Sequence, residues 1–477
     1  MKKEKDKVLK LQESLTYKKK SVWGDDTKWN VDEIMDFAQE YKVFLDGSKT
    51  ERECHDRIIK YAGNKGFVDI NTIKTDVNAL QPGDRLYLSY RGKAAALVVM
   101  GSKPLEEGFH LIGSHIDSPR LDLKPNPLYE EEGLGLFKTH YYGGIKKYQW
   151  ASIPLALHGV IVKENGEKIN ISIGEGDDQP VFFISDLLPH LAQEQMKKKA
   201  ADVITGENLN IIAAHIPYCS DENIKERVKL TVLDYFYNQY KLKEEDFLSA
   251  EIELVPAYKA RDVGVDRSMI AAYGQDDRVC AFTSLKAVSE IEKPLFTSVA
   301  LFMDKEEVGS MGNTGAQSRM LVNLLALLMD AAEGGFDQLK LNKCLANGKA
   351  LSADVSNAID PNYTEVSDKL NSAYLGMGVV LNKYTGARGK SGANDTHSEF
   401  MGYIRGLFNR NGIPWQVAEL GKVDHGGGGT IAQFLANEGM DVVDCGVPLL
   451  GMHAPLEISS KGDVYATYRA YKAFFMD

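Results

Sequence analysis

Apolar residues recur at helical spacing near the start of the chain and then give way to short strand-like runs. The segments Asp32–Tyr41 and Thr50–Ala62 repeat their apolar residues every three or four positions, which predicts two amphipathic helices. We interpret the first ~80 residues as mainly helical on this basis. Short apolar runs bounded by turn residues follow and predict strands at Arg85–Tyr90, Ala94–Met100 and Phe109–Gly113.

The pattern changes between Pro125 and Val263, where glycines separate short β-like runs. This segment predicts strands at Leu155–Val162, Ile169–Ile173 and Val181–Ile184, followed by longer helical patterns at Leu187–Val203 and Asp221–Leu242. A mainly-β unit with its own core is therefore expected here.

From Met269 onward, strand-like runs alternate with helical patterns. Ser298–Met303 is followed by a helical pattern at Ser318–Ala331, and the helical pattern Thr430–Glu438 precedes the run Val442–Cys445. Such alternation predicts an α/β fold with a mixed, largely parallel sheet flanked by helices.

Composition narrows the function classes. The 477 residues carry a net charge of −11, which argues against a protein that coats nucleic acid or anionic membrane. The sequence contains neither an apolar run long enough for a membrane span nor a signal-peptide pattern. Its five scattered cysteines are typical of reduced thiols, so we expect a cytoplasmic protein without nucleic-acid or membrane partners.

Five polar motifs stand beside the apolar runs and carry the candidate chemistry. They are GSHIDSPR at 113–120, GQDDR at 274–278, DKEEVG at 304–309, SADV at 352–355 and GMHAP at 451–455. Each motif alone has a structural interpretation, such as a helix cap or a solvated loop. Their convergence indicates a site, because ligands of open α/β sheets gather at the carboxyl ends of strands.

The residue types indicate a metal site. Asp117 lies two residues after His115, so it can accept a hydrogen bond from one imidazole nitrogen while the other binds a metal. A mixed set of imidazoles and carboxylates suits zinc, manganese or cobalt and opposes a thiolate site.

The spacing of the motifs predicts an inserted domain. His115 and Asp276 are 276 − 115 = 161 residues apart, far more than one βα connection needs. We therefore predict a discontinuous catalytic domain, residues 1–124 and 264–477, with a second domain at 125–263. A decorated loop region without a role in assembly is the alternative.

Taken together, the motifs resemble the co-catalytic dizinc aminopeptidases, and most closely the bacterial branch of the aspartyl aminopeptidase family. The supporting stretches are GSHIDSPRLDLKP, GQDDRVCAFTSL, DKEEVGSMGNTGAQS, SADVSNAIDPNY, HGGGGTIAQ and GMHAPLE. They run in family order from His115 to His453, so the resemblance covers nearly the whole chain.

The resemblance implies a role for each motif residue. Asp276 would bridge two ions, most simply zinc, with manganese or cobalt as alternatives. His115 and Asp354 would complete one ion, and Glu307 and His453 the other.

Two further carboxylates would take part in catalysis. Glu306 would be the general base that activates a metal-bridged water, and Asp117 would orient His115. The implied function is the hydrolytic removal of N-terminal residues from peptides.

The resemblance also implies the fold of the dizinc exopeptidases, with residues 125–263 as a dimerisation or lid domain. The expected assembly is a dimer-based homo-oligomer, and a dodecamer is one candidate.

Substrate preference is left open by departures from the family pattern. Asn357 and Asp360 stand where typical aspartyl members carry histidines, and Asp360 would repel an acidic side chain. Lys383 is a candidate cation for such a side chain, or a solvated surface lysine. Gly427 and Gly428 belong to a glycine run that either lines the substrate cleft or acts only as a hinge.

Two other functions compete with this interpretation. A glutamyl-type dizinc aminopeptidase of broader specificity shares the DDR and EEVG motifs, and a catalytically silent member would act as a scaffold. The intact ligand and base positions favour an active enzyme.

Overall fold

The computed structural model describes residues 2–24, 27, 29–73 and 80–477. The α-helices within these residues are α1 (Lys2–Leu15), α2 (Val31–Asp46), α3 (Glu51–Asn64), α4 (Arg227–Tyr240), α5 (Gln275–Ser289), α6 (Met320–Glu333), α7 (Gln338–Ala346), α8 (Ser398–Arg410), α9 (Ala432–Asn437) and α10 (Lys461–Met476). The strands up to residue 256 are β1 (Val68–Asp69), β2 (Arg85–Tyr90), β3 (Ala94–Val99), β4 (Phe109–His115), β5 (Arg120–Glu131), β6 (Leu134–Tyr142), β7 (Leu155–Val162), β8 (Lys168–Ile173), β9 (Ile211–Ala214) and β10 (Ala250–Pro256). The later strands are β11 (Arg261–Val263), β12 (Met269–Ala272), β13 (Thr297–Met303), β14 (Lys349–Ser352), β15 (Ser356–Asn357), β16 (Val379–Asn382), β17 (Trp415–Val417), β18 (Asp441–Gly446), β19 (Pro448–Leu450) and β20 (Glu457–Ser460).

A nine-stranded mixed sheet forms the centre of the molecule, in the order β1-β2-β3-β13-β4-β14-β18-β16-β17. The adjacent strands β13, β4, β14 and β18 run parallel to one another. Successive residues of β4 enter different cores: Leu111 packs with residues of α6 and α7, and Ile112 with residues of α5 and α10. Helices thus cover both faces, which explains the uninterrupted apolar runs of these strands. The predicted α/β class, with a mixed and largely parallel sheet, is confirmed.

A second, six-stranded antiparallel sheet has the order β8-β7-β10-β5-β6-β9. All its strands lie between Arg120 and Pro256, and it has a separate hydrophobic core that includes Phe137, Trp150 and Phe236. It occupies most of the segment 125–263 for which a mainly-β domain was predicted. A third sheet, β11-β12-β20-β19-β15, lies beside the start of α5, where Gln275 and Asp276 donate hydrogen bonds to Glu457 of β20.

The predicted boundaries hold best where turn or cap residues bound a run. The strands Arg85–Tyr90 and Leu155–Val162 occur with the predicted bounds. Thr50 caps α3 in a complete capping box with Glu53, as the start of the second predicted helix requires. Residues 74–79 of the region expected to be helical lie outside the described residues.

Two predictions in the second-sheet segment are wrong, and a third is right in type but too long. Leu187–Val203 forms turns and a short 3₁₀ turn, Ala200–Asp202, instead of an α-helix. The second pattern, Asp221–Leu242, is helical only over Arg227–Tyr240, and Val181–Ile184 forms isolated bridges instead of a strand. The apolar residues that suggested the first helix stay exposed in the single chain, so they provide no packing energy to hold one. These residues are Leu187, Leu188, Leu191 and Met196.

Among the described residues, the helices are too short or too polar to cross a lipid bilayer.

Candidate metal centre

The parallel strands bring three of the motifs to one edge of the central sheet. β4 ends at His115, which pairs with Met303 at the end of β13, while Ser352 at the end of β14 pairs with Gly113. The polar residues that follow these strands therefore emerge side by side, as the strand-end argument predicted. Glu306 and Glu307 begin a short 3₁₀ turn after β13, and Asp354 follows β14.

Asp276 joins the two imidazoles of the site. Its Oδ1 lies 3.1 Å from Nε2 of His115, and its Oδ2 lies 3.2 Å from Nε2 of His453. The carboxylate is buried at the start of α5, and its backbone N–H donates to Oε2 of Glu457 at 3.0 Å. One side chain thus faces both histidines from a fixed position.

Asp117 holds the surroundings of His115 in place. Nδ1 of His115 lies 3.0 Å from the carbonyl oxygen of Asp117 and 3.3 Å from its Oδ1. The Asp117 carboxylate also accepts the backbone N–H groups of Glu306 and Glu307, each at 3.2 Å. One buried carboxylate therefore fixes the imidazole and the turn that carries both glutamates.

His453 is oriented differently, from a loop between β19 and β20. Its Nδ1–H donates to the carbonyl oxygen of Gly144 at 2.8 Å, and its backbone N–H donates to Oε1 of Glu457 at 2.8 Å. Nε2 is left facing Asp276 and Oε1 of Glu307, which lies 3.4 Å away. The hydrogen bond at Nδ1 selects the tautomer whose Nε2 can bind a metal.

The ligand atoms form compact groups that fit cations. Two groups, each with its ligand atoms within 4.8 Å of one another, are His115–Asp276–Asp354 and Asp276–Glu307–His453; a third combines His115 with Glu306 and Glu307. Oε1 of Glu307 is buried and has no hydrogen-bond partner. A buried carboxylate oxygen without a donor is costly unless a cation meets it, so the donor set fits metal binding.

The pKa values of the cluster point the same way. Burial raises the pKa of Glu306 to about 7, with a further contribution from Asp117 and Asp276. Burial and nearby carboxylates also raise the pKa values of Glu307 and Asp354 well above the usual range. Burial opposes charge on His453 too, but the hydrogen bond to Asp276 raises the pKa of its imidazole to about 10. The carboxylates of this cluster outnumber its positively charged side chains, and divalent ions would balance the excess negative charge.

A cavity of about 510 Å³ opens onto this cluster. Gly427 and Gly428 line it together with Asp276, Glu306 and His453. Residues on either side of Lys383, namely Asn382 and Thr385, also line it, whereas Nζ of Lys383 pairs with Asp395 at 2.7 Å. The substrate-binding roles of Lys383 and the two glycines remain predictions.

Three contributions to the site were missed from the sequence. Glu457 accepts backbone N–H groups from two candidate ligands, and Asp444 lines the cavity. The segment 142–144 touches Asp117, Glu307 and His453. Its only sequence signal is the pair Gly143–Gly144 after a β-like run, which is ordinary turn composition.

Comparison with known proteins identifies the class as zinc metallopeptidases. Residues 44–475 match the family described as aminopeptidase I zinc metalloprotease (M18), and the chain belongs to this family. It is accordingly a zinc-dependent aminopeptidase, a hydrolase, which confirms the function inferred from the motifs.

Relatives and solved structures agree with this assignment. The chain is similar to a probable M18 family aminopeptidase 1 of Clostridium acetobutylicum, with 51% identity over 455 residues, 95% of this chain and 97% of the relative. It is also similar to an M18 aminopeptidase structure from Thermotoga maritima, with 47% identity, coverage of 96% and 99% of the two chains, and a TM-score of 0.91. A structure of the S. cerevisiae mApe1 dodecamer shares the fold at 22% identity, with coverage of 93% and 97% and a TM-score of 0.74.

Proposed function

We propose that this aminopeptidase removes N-terminal residues with neutral side chains from short peptides and uses two divalent ions, most simply zinc. The observation that carries the two-ion proposal is the position of Asp276, which presents one carboxylate oxygen to each histidine at 3.1 and 3.2 Å. Two dications that lie close together need a shared anionic ligand. The residues that would hold the ions are His115, Asp276, Asp354, Glu307 and His453.

Glu306 is the proposed proton carrier. Ions held in this cluster would polarise the scissile carbonyl and lower the pKa of water. Oε2 of Glu306 lies 4.0 Å from Nε2 of His115, within the cluster and at the wall of the cavity. Its carboxylate would accept a proton from the attacking water and deliver it to the departing amine. Asp117 serves this step indirectly, because it binds the N–H of Glu306.

The decisive experiment compares Glu306→Gln with Glu307→Gln. We expect Glu306→Gln to keep its zinc and to lose several orders of magnitude in turnover, because only the proton acceptor is removed. Glu307→Gln should instead lose affinity for zinc. Elemental analysis and kinetics on an aminoacyl amide measure both effects. Retention of more than about a tenth of wild-type turnover in Glu306→Gln would reject the assignment of the base.

The chemistry of the cavity wall supports a neutral N-terminal residue. The described residues that line the cavity include no lysine or arginine, and Val355, Leu420, Phe434 and Met452 contribute apolar surface. Asp444 adds a carboxylate: Oδ1 accepts from Thr430 at 2.7 Å, and Oδ2 has no hydrogen-bond partner. This charge would repel an aspartyl or glutamyl side chain.

A panel of aminoacyl amides tests this preference. Leucyl and alanyl substrates should be cleaved faster than aspartyl and glutamyl substrates. In Asp444→Asn, the ratio of the cleavage rates of neutral and acidic substrates should be smaller. If aspartyl substrates are preferred and Lys383→Ala abolishes that preference, the cation role of Lys383 is correct and the neutral preference is wrong.

The second sheet is proposed to mediate assembly and to restrict access to the cleft. Within residues 125–263, four apolar residues have at least half of their surface exposed, and a partner subunit would cover this apolar surface. These residues are Leu187, Leu191, Met196 and Ile216. The fold neighbour from S. cerevisiae is a dodecamer. A dimer-based homo-oligomer should give a mass well above 52.9 kDa in light scattering, and a monomer would reject the proposal.

Cytoplasmic location is supported by the state of the thiols. All five cysteines are free, and four of them are buried, an arrangement typical of reducing compartments. Fractionation of the producing cells would test this location.

A further inference from the structure

The three consecutive residues Tyr142, Gly143 and Gly144, here called the strap, each touch a different part of the metal site. The strap is the end of β6, in the second sheet, together with the two residues that follow. It reaches Glu307, on the turn after β13 of the central sheet, and His453, on the loop between β19 and β20 of the third sheet. Both residues are more than 150 positions away from the strap in the chain.

Tyr142 holds the carboxylate that organises the His115 side. Its hydroxyl donates to Oδ2 of Asp117 at 2.8 Å. The guanidinium of Arg120 lies 3.8 Å from the centroid of the Tyr142 ring, and Arg120 is itself fixed by ion pairs with Asp122 at 2.8 Å and Glu253 at 3.2 Å. The tyrosine is therefore anchored in the second sheet while its hydroxyl points to Asp117.

Gly143 is packed against Glu307. Its φ of 74° lies in the left-handed region, and a Cβ there would lie 3.2 Å from Oε2 and 3.3 Å from Cβ of Glu307. A side chain at this position would be strained and would push against the glutamate. The next residue, Gly144, provides the carbonyl oxygen that accepts the Nδ1–H of His453.

We infer that the strap is a positioning element of the metal centre, so that the second sheet sets the orientation of Asp117, Glu307 and His453 besides any role in assembly. The inference rests on the proposed function of these three residues. It differs from a lid, because a lid covers the cleft, whereas the strap fixes the ligands themselves. Tyr142 and Gly143 act through other residues and are positioning residues.

Gly133 offers a matched control for Gly143. It has the same φ of 74° and lies in the turn before β6, but a Cβ there would meet no atom within 4 Å. Gly143→Ala and Gly133→Ala should therefore carry similar backbone strain, and only Gly143→Ala adds the contact with Glu307. Only Gly143→Ala should weaken zinc binding, by about tenfold or more, in competition with a chelator.

Tyr142→Phe tests the other end of the strap with little change in packing. We expect kcat to fall about tenfold while KM changes less, together with weaker zinc binding, because Asp117 loses a donor. Tyr141→Phe, at the neighbouring and exposed position of the same strand, should match wild type in both measurements.

Equal zinc affinity and turnover in Gly143→Ala and Gly133→Ala, with Tyr142→Phe like wild type, would overturn the inference. Failure of the proposed function would look different: Glu306→Gln would stay active, or wild type would not cleave the amides, while zinc affinity would still report on the strap.

Discussion

The two histidines of the metal site are held in different ways. His115 ends a buried strand of the central sheet, its side chain is 1% exposed, and the backbone carbonyl and the carboxylate of Asp117, two residues away, both face its outer nitrogen. His453 lies on a loop, its side chain is 34% exposed, and a backbone carbonyl from the second sheet faces its outer nitrogen. One candidate ligand is thus built into the core, and the other depends on contacts between separate parts of the fold.

Packing therefore holds the His115 side of the site, and hydrogen bonds hold the His453 side. Around His115, a change must disturb the buried sheet, which close packing resists. Around His453, the orientation depends on Gly144 and on Glu457, which binds the N–H groups of both His453 and Asp276. Glu457 is therefore the link between the two sides.

The largest expected effect comes from breaking both sides at once. Asp276→Ala should lose both ions and reduce turnover to background, because this carboxylate faces both imidazoles. Zinc content by elemental analysis measures the loss, and Glu307→Ala, which removes a ligand of one side, should keep one ion. Two tightly bound ions in the Asp276 variant would contradict the bridging role.

A smaller effect should separate the two sides. His115→Ala and His453→Ala should each weaken mainly one ion, but their effects on the stability of the metal-free protein should differ. Truncation of the buried His115 leaves a cavity and should cost about 2 kcal/mol or more, whereas truncation of the partly exposed His453 leaves a smaller cavity and should cost less. Denaturant midpoints measure the difference, and equal midpoints would remove the proposed asymmetry.

The smallest effect concerns the pH dependence of stability at the contact between β7 of the second sheet and α3. His158 of β7 contacts Glu53 of α3 at 2.7 Å and Glu175 at 3.1 Å, and Lys49 pairs with Glu175 at 2.9 Å. Burial alone would lower the pKa of His158, but these carboxylates raise it from 6.5 to about 9. The folded state holds this proton more tightly, so the stabilisation is complete below pH 6.5 and is lost as the pH rises through 9.

Denaturant midpoints across that pH range should fall in wild type, and the fall should be reduced in His158→Gln. If the denaturant midpoint of His158→Gln falls with pH as steeply as that of wild type, His158 does not contribute this pH-dependent stability.

Sequence reasoning singled out the motifs of the candidate site because three of them follow strand ends, where chemistry is expected, and the proposed ligand roles came from the family resemblance. It also reached the strands Arg85–Tyr90 and Leu155–Val162, whose runs are bounded by turn residues. These signals are local: a few neighbouring residues contain all the information that the prediction needs.

The features that sequence reasoning missed depend on distant partners. The sequence of the strap has no periodic pattern. Its proposed role becomes visible only in the fold, where Gly143 lies against Glu307 and Gly144 accepts a hydrogen bond from His453. The predicted helix Leu187–Val203 failed for the converse reason, since its large apolar side chains, such as Leu191 and Met196, stay exposed in the single chain and provide no packing energy.

The links made by Glu457 have a consequence for biosynthesis. Asp276 and His453 both donate a backbone N–H to Glu457, a residue that is synthesised 181 positions after Asp276 and four after His453. On the ribosome, the earlier strands can form while the metal centre still lacks its last ligand and its central tie. We therefore expect a nascent chain to hydrolyse no peptide until Glu457 has emerged and bound the N–H groups of both residues.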